Sequence, residues 1–227
     1  MAQVLALPKG ALLVGDYQID RVLGAGGFGI TYLGRDLSLA RAIAIKEYFP
    51  ADSALREGGC DVDFRSEGQQ SEFNVGLERF IEEAQALAQF DHHNIARVYR
   101  YFRANNTAYM VLHYEEGLSF KAWCQRLDRL PTQAELDAII SPLLDALETL
   151  HAANFLHRDI APDNIIIRPD GSPVLIDFGS ARREVAARSQ TLSAVIKPGY
   201  SPVEQYSAQT SQQGPWTDIY ALGARQT

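Results

Sequence analysis

Cysteine is scarce in this 227-residue chain, with only Cys60 and Cys124 present. They have no close spacing, so they form neither a metal-binding motif nor a disulfide framework, and a reducing, cytoplasmic setting is expected. Positive charge is in deficit: 21 Lys and Arg stand against 28 Asp and Glu, a net charge of −7. That balance argues against non-specific binding to nucleic acid or acidic membranes, while leaving room for a local nucleotide site. No apolar run approaches the roughly 20 residues of a membrane-spanning helix, so no membrane segment is expected. The start, Met1-Ala2-Gln3-Val4-Leu5, has neither a basic region nor a long apolar core, so no signal peptide is expected. Internal repeats and low-complexity tracts are also lacking. What remains is an ordinary globular composition, 46% hydrophobic and 22% charged, long enough for one large domain or two small lobes.

The periodicity changes along the chain. Tyr17, Ile19 and Val22-Leu23 read as strand and lead into Gly24-Ala25-Gly26-Gly27-Phe28-Gly29. Ile30, Tyr32 and Leu33 resume the strand, and Ala42-Ile43-Ala44-Ile45-Lys46 is another β-rich run. Residues 51–76 are polar and Gly-rich and read as an irregular insertion. Leu77, Phe80, Ile81, Ala84, Leu87 and Ala88 then mark one face of an amphipathic helix. Two strands, Ile95–Phe102 and Ala108–Tyr114, flank the turn Ala104-Asn105-Asn106. After Glu115-Glu116-Gly117 the pattern is helical. Thr132 and Glu135 form a capping-box pattern, and Leu136, Ile139, Ile140, Leu143, Leu144, Leu147 and Leu150 make a long stripe in which Pro142 is expected to kink the helix. Short strands Ile165-Ile166-Ile167 and Val174-Leu175-Ile176 bracket Asp170-Gly171.

Three groups of residues carry chemistry. Gly24-x-Gly26-x-x-Gly29 has a spacing shared with dinucleotide-binding turns, but there the third glycine opens a helix. Here strand follows, which favours a flexible hairpin over phosphates; a plain Gly-rich turn is the alternative. Lys46 ends an apolar strand, where an unpaired ammonium would be costly to desolvate. Glu82 or Glu83 on the following helix could pair with it, and Glu83, beside core-facing Ala84, is the better placed. Asp159, Asn164 and Asp177 supply a candidate base, an amide and a carboxylate at spacings suited to metal-assisted phosphoryl transfer. Asn164 and Asp177 offer the oxygen ligands that magnesium prefers. Each residue alone could be a turn former; the ordered series is far more specific.

The chain resembles the eukaryotic-type (Hanks-type) protein kinases, most closely the bacterial Ser/Thr branch. The matches run in order from Tyr17 to about Gly223: Leu23–Gly29, Ala42–Lys46, Glu83-Ala84, His93-Asn94-Ile95, Tyr109–Leu112, His157-Arg158-Asp159, Asp177-Phe178-Gly179 and Asp218–Gly223. The resemblance implies an α+β bilobal fold: a small antiparallel β lobe with a helix C (17–114, after a flank at 1–16), and a mainly helical large lobe (115–227), C-terminally incomplete. It implies ATP and Mg2+ as cofactors and a protein substrate. Leu23, Gly24, Gly26, Gly29, Thr31, Ala44, Lys46, Leu112, Ile166 and Asp177 would bind the nucleotide, with the backbone of His113 and Glu115 holding the adenine edge. Asp159, Lys46, Glu83 and Asn164 would serve catalysis, and Asn164 with Asp177 would hold the metal. Leu87, Val98, His157 and Phe178 map onto the regulatory stack of such enzymes, with Asp218 at its base. Arg158 would meet a phosphate on the segment 177–204, and self-phosphorylation would fall on Ser189, Thr191 or Ser193.

Three departures stand out. Ala161 replaces a Lys that touches the transferring phosphate in most Ser/Thr kinases. Lys197 falls where the family usually has a threonine, so the charge is expected to have moved there. The chain ends at Thr227, shortly after the Asp218 helix begins, which is expected to leave part of the Leu136–Leu150 stripe uncovered and the chain poorly stable. The leading expectation is a protein Ser/Thr kinase. The alternative is a nucleotide-binding pseudokinase or scaffold, inactive through Ala161 or the shortened C-terminal lobe. A small-molecule phosphotransferase is disfavoured by the Gly-rich loop, Arg158 and the Glu204 segment.

Overall fold

The computed structural model describes residues 5–65, 67–178, 182–183, 197–206 and 212–224. It divides into two compact units, Met1–Gln89 with Arg97–Tyr114, and Phe90–Ala96 with Glu115–Thr227. In the first unit β1 (Leu12–Leu13), β2 (Tyr17–Ala25), β3 (Gly29–Asp36) and β4 (Arg41–Tyr48) precede β5 (Ala54–Leu55), β6 (Asp63–Phe64), α1 (Gln70–Leu87), β7 (Val98–Ala104) and β8 (Thr107–His113). Six of these strands form one antiparallel sheet in the order β1-β2-β3-β4-β8-β7. Strand alternation gives β4 two different faces. Ile43, Ile45 and Glu47 are fully buried, whereas Ala44 and Lys46 are half-buried.

The β7–β8 hairpin is tighter than its sequence suggests. Asn105 and Asn106 both take left-handed backbone, with φ of 51° and 57°, so two residues close the turn and Ala104 pairs directly with Thr107. Both strands therefore reach the turn, and β7 begins only at Val98. Ile95 and Ala96 belong to the second unit, where Ile95 bridges Leu175 and the Ala96 amide donates to the Leu175 carbonyl.

Residues 51–76 are more regular than expected. β5 and β6 pair as a small hairpin, and α1 starts at Gln70 rather than Leu77. Its first turn, Gln70-Ser71-Glu72, has no apolar periodicity to announce it. What holds it is Phe73, whose ring meets those of Tyr48 and Phe64, each at 5.0 Å. Gly76 lies inside the helix because the Tyr48 phenol presses against it; a Cβ there would fall 2.0 Å from the Tyr48 oxygen.

The second unit contains β9 (Leu118–Ser119), α2 (Phe120–Arg126), α3 (Gln133–Ala152), β10 (Phe155–Leu156), β11 (Ile165–Ile167), β12 (Pro173–Leu175), β13 (Arg182–Arg183) and α4 (Pro215–Gly223). β12, β11 and β9 form an antiparallel sheet, and β10 pairs with β13. α3 opens on the expected capping box: the Thr132 hydroxyl accepts from the Glu135 amide, and the Glu135 carboxylate accepts from the Thr132 amide. The helix runs continuously through Pro142. The ring removes the bond that the Ala138 carbonyl would accept, and Ala138 is exposed, so water can satisfy it. Ile139, Leu143, Leu147 and Leu150 of the stripe are buried along with Ala146; Leu136 and Ile140 are half-buried and Leu144 is exposed.

Candidate active site

In the first unit the glycine cluster forms the β2–β3 hairpin, as expected. Gly24 and Gly26 have open space where a side chain would be, so a ligand could approach their backbone. Gly29 is required for a different reason: a Cβ there would meet the Glu47 carbonyl oxygen at 2.4 Å. The tip is tied down rather than loose. Gly26 donates to Gly29 O at 2.9 Å, Phe49 N to Phe28 O at 3.1 Å and Ala51 N to Gly27 O at 2.9 Å.

Cross-strand pairing puts Thr31 beside Lys46, and Ala44 beside both Leu33 and Leu112. Directly paired residues share a face, so Thr31, Ala44, Lys46 and Leu112 line one side of the sheet. Lys46 Nζ lies 3.8 Å from Glu83 Oε1, an ion pair with both side chains largely buried. Glu82 is exposed, so the choice between the adjacent glutamates falls on Glu83. Leu23 on β2 is partly exposed. The His113 amide donates to Arg97 O, and its ring bonds the Tyr99 hydroxyl at 2.9 Å.

In the second unit His157–Asn164 forms a loop whose backbone is pinned from several sides. Asp218, fully buried on α4, accepts from the amides of His157 (2.9 Å) and Arg158 (2.7 Å), and its Oδ2 also meets His151 Nε2 at 2.8 Å. Arg158 has left-handed backbone, φ 64°, which is strained for a bulky residue. Asp218 from one side and Gln205, donating to Arg158 O at 2.8 Å, from the other hold it there. The His157 ring is fully buried against Phe178, with centroids 4.4 Å apart, and its Nδ1 accepts from the Asp159 amide. Burial pushes the His157 pKa down, favouring the neutral ring. In the first unit the other two residues of the expected stack, Leu87 and Val98, are buried.

Asp159 is the convergence point. Asn164 Nδ2 donates to its backbone oxygen at 2.8 Å and to Oδ2 at 2.9 Å, and Lys197 Nζ lies 2.9 Å from Oδ1. Burial raises the Asp159 pKa; Lys197 and, less strongly, His157 oppose that rise, while Asp177 adds to it. Because the Asn164 amide nitrogen is committed to Asp159, its oxygen is left as an acceptor. Asp177 is exposed, with φ 61°, a conformation Asp tolerates better than most residues. A neutral amide oxygen and a carboxylate are hard donors of the kind that Mg2+ takes, so Asn164 and Asp177 fit that ion chemically. Among the described residues no cluster of three His, Cys, Asp or Glu forms an alternative metal centre.

Ile166 is half-buried on β11, and the Glu115 carboxylate binds Arg168 Nε at 2.8 Å. Arg168 also reaches the His93 carbonyl at 3.0 Å. Arg168, His151 and Gln205 were not among the expected site residues. Their partners are distant in sequence, and nothing local marks them. Ser189, Thr191 and Ser193 lie outside the described residues.

A Gly-rich hairpin, a Lys–Glu pair behind it, and a separate loop presenting Asp159 and Asn164 define an α+β fold of the protein-kinase class. The protein kinase domain family matches residues 17–225, and the chain belongs to that family. It is 34% identical over 223 residues to the serine/threonine-protein kinase PknA of Nostoc, covering 93% of this chain and 36% of that protein. It is 32% identical over 217 residues to the serine/threonine-protein kinase PrkC of Bacillus subtilis, covering 94% of this chain and 30% of that protein. The chain thus spans about a third of the length of these curated relatives. A solved structure described as the apo form of PpkA-294 superimposes with a TM-score of 0.82 at 41% identity, over 96% of this chain and 76% of that one.

Proposed function

We propose that this chain is the catalytic domain of a protein Ser/Thr kinase, transferring the γ-phosphate of ATP to a protein hydroxyl. The observation that carries the reading is the Asp159 carboxylate, largely but not fully buried and oriented by Asn164 in a loop that Asp218 and Gln205 hold in a strained shape. Residues 17–114 serve nucleotide binding and residues 115–227 carry the catalytic loop. Cytoplasmic ATP is the phosphate source, consistent with the scarcity of cysteine; among the described residues no helix is long and apolar enough to cross a membrane.

Lys46, held by Glu83, neutralises the α- and β-phosphates. Gly24 and Gly26 let backbone amides approach the phosphates. In the first unit Ala44, Thr31, Leu23 and Leu112 would provide apolar contact for the base, with the backbone of His113 reading its edge. Asp159 orients the acceptor hydroxyl and takes its proton. Asn164 Oδ1 and Asp177 would hold Mg2+, which when bound neutralises charge on the phosphates. Self-phosphorylation at Ser189, Thr191 or Ser193 would place a dianion for an arginine such as Arg158 to bind.

The test is phosphate transfer from radiolabelled ATP to casein and to the chain itself, comparing wild type with Asp159→Asn. Transfer is expected in wild type and near-complete loss in the variant, with ADP affinity by calorimetry unchanged. Equal transfer by both proteins would remove Asp159 from the mechanism. ADP binding without transfer by wild type would favour a nucleotide-binding scaffold.

A further inference from the structure

From His157 to Asn164 the loop contains no lysine; its arginine, Arg158, is buried, and its histidine favours the neutral form. The cation beside Asp159 comes from a different segment. Lys197 Nζ lies 2.9 Å from Asp159 Oδ1, and a third of the Lys197 side chain remains exposed. Its backbone is fixed in a closed turn: Lys197 N donates to Ser201 Oγ at 2.9 Å, while Lys197 O accepts from Tyr200 N at 3.0 Å and Ser201 N at 2.9 Å. The same segment is fastened to its surroundings by Gln205 on Arg158 O and by Glu204, which accepts from the Thr217 hydroxyl at 3.0 Å.

We propose that Lys197 is a catalytic residue of this domain, its ammonium bridging the Asp159 carboxylate and the transferring γ-phosphoryl group. The inference rests on the kinase reading above. A transferring phosphoryl group spreads negative charge over its oxygens, and preorganised cations are a main source of its stabilisation. An ammonium has three donors and can serve a carboxylate and a phosphate oxygen together. In the step, the bond from the γ-phosphorus to the β–γ bridging oxygen breaks and the bond to the acceptor oxygen forms. The hydroxyl proton passes to Asp159, ADP leaves, and Lys197 stays protonated. The cation is therefore carried by the turn that follows the candidate phosphosites, and the site is complete only with that turn docked.

The experiment compares wild type, Lys197→Met and Lys197→Arg in transfer from ATP and magnesium to casein, with ADP affinity measured separately by calorimetry. Lys197→Met is expected to lose roughly 100-fold or more in kcat, with KM for ATP and ADP affinity unchanged. Lys197→Arg keeps the charge and should stay within about tenfold of wild type. Wild-type kcat in Lys197→Met would overturn the proposal. So would an arginine variant as impaired as the methionine one, or a parallel loss of ADP affinity, which would mark a structural role. Absence of transfer by wild type would sink the kinase reading, and the role of Lys197 with it.

Discussion

Glu47 is fully buried one residue after the candidate phosphate-binding lysine, and it is satisfied on every side. Its Oε1 accepts from the Tyr109 hydroxyl at 2.7 Å and from Arg56, and its Oε2 accepts from the Tyr32 hydroxyl at 2.7 Å. Arg56 also donates to the carbonyls of Cys60 and Leu5, and the Leu7 amide donates to Tyr32. Burial next to this carboxylate pushes both tyrosine hydroxyls well above their ordinary pKa, so they remain protonated donors. Removing one partner of a buried ion pair leaves the other uncompensated. Arg56→Ala should therefore destabilise the first unit by about 3 kcal/mol, read as a fall in the urea midpoint. Gly29→Ala should also destabilise, by about 1–3 kcal/mol, because its new methyl group meets the Glu47 backbone rather than a yielding side chain. Gly24→Ala, in open space, should leave the urea midpoint nearly unchanged.

At the scale of elements, legibility followed locality. The α3 cap could be read from Thr132 and Glu135 because four consecutive residues contain the capping box. Arg129 and the Thr132 cap hold the Glu135 carboxyl down at about 2 from its usual 4.5. A carboxyl with a depressed folded-state pKa stabilises the fold above its unfolded value and loses that effect as pH falls. The stability gap between wild type and Glu135→Gln should thus be full above pH 4.5 and close as pH drops through about 2, measured by urea midpoints across that range. The start of α1 could not be read in this way. Gln70-Ser71-Glu72 carries no apolar signal, and only the distant Tyr48 and Phe64 rings explain why it coils. The β5–β6 hairpin is similar, since its Arg56 is anchored by a carboxylate on β4. Glu47 did leave a trace: it shares strand parity with the buried Ile43 and Ile45, where a solvated charge would not be expected.

For the whole molecule, the order of motifs was enough for the α+β protein-kinase class, and the resemblance to that family was enough to mark Lys197, which falls where a threonine is usual. The pinning groups Asp218, His151, Gln205 and Arg168 differ in this respect. Asp218 sits in a recognisable motif, while the others act through partners that only folding brings near. Nucleotide binding offers a test at this scale. ADP at about 100 times its Kd should stabilise the folded chain by about 2.7 kcal/mol, seen as a rise in thermal midpoint. Lys46→Met should abolish most of that rise and, by taking the cation away from the largely buried Glu83, also lower the unliganded midpoint.

The opposite faces of β4 have a consequence for folding fidelity. A one-residue slip of this strand would turn Lys46 toward Tyr32, Tyr109 and Arg56 and place Glu47 on the face that Lys46 now occupies. The slipped form would bury two cations together without a carboxylate. The strand that carries the candidate phosphate-binding lysine thus proofreads its own alignment, and misregistered molecules are disfavoured before any ligand arrives.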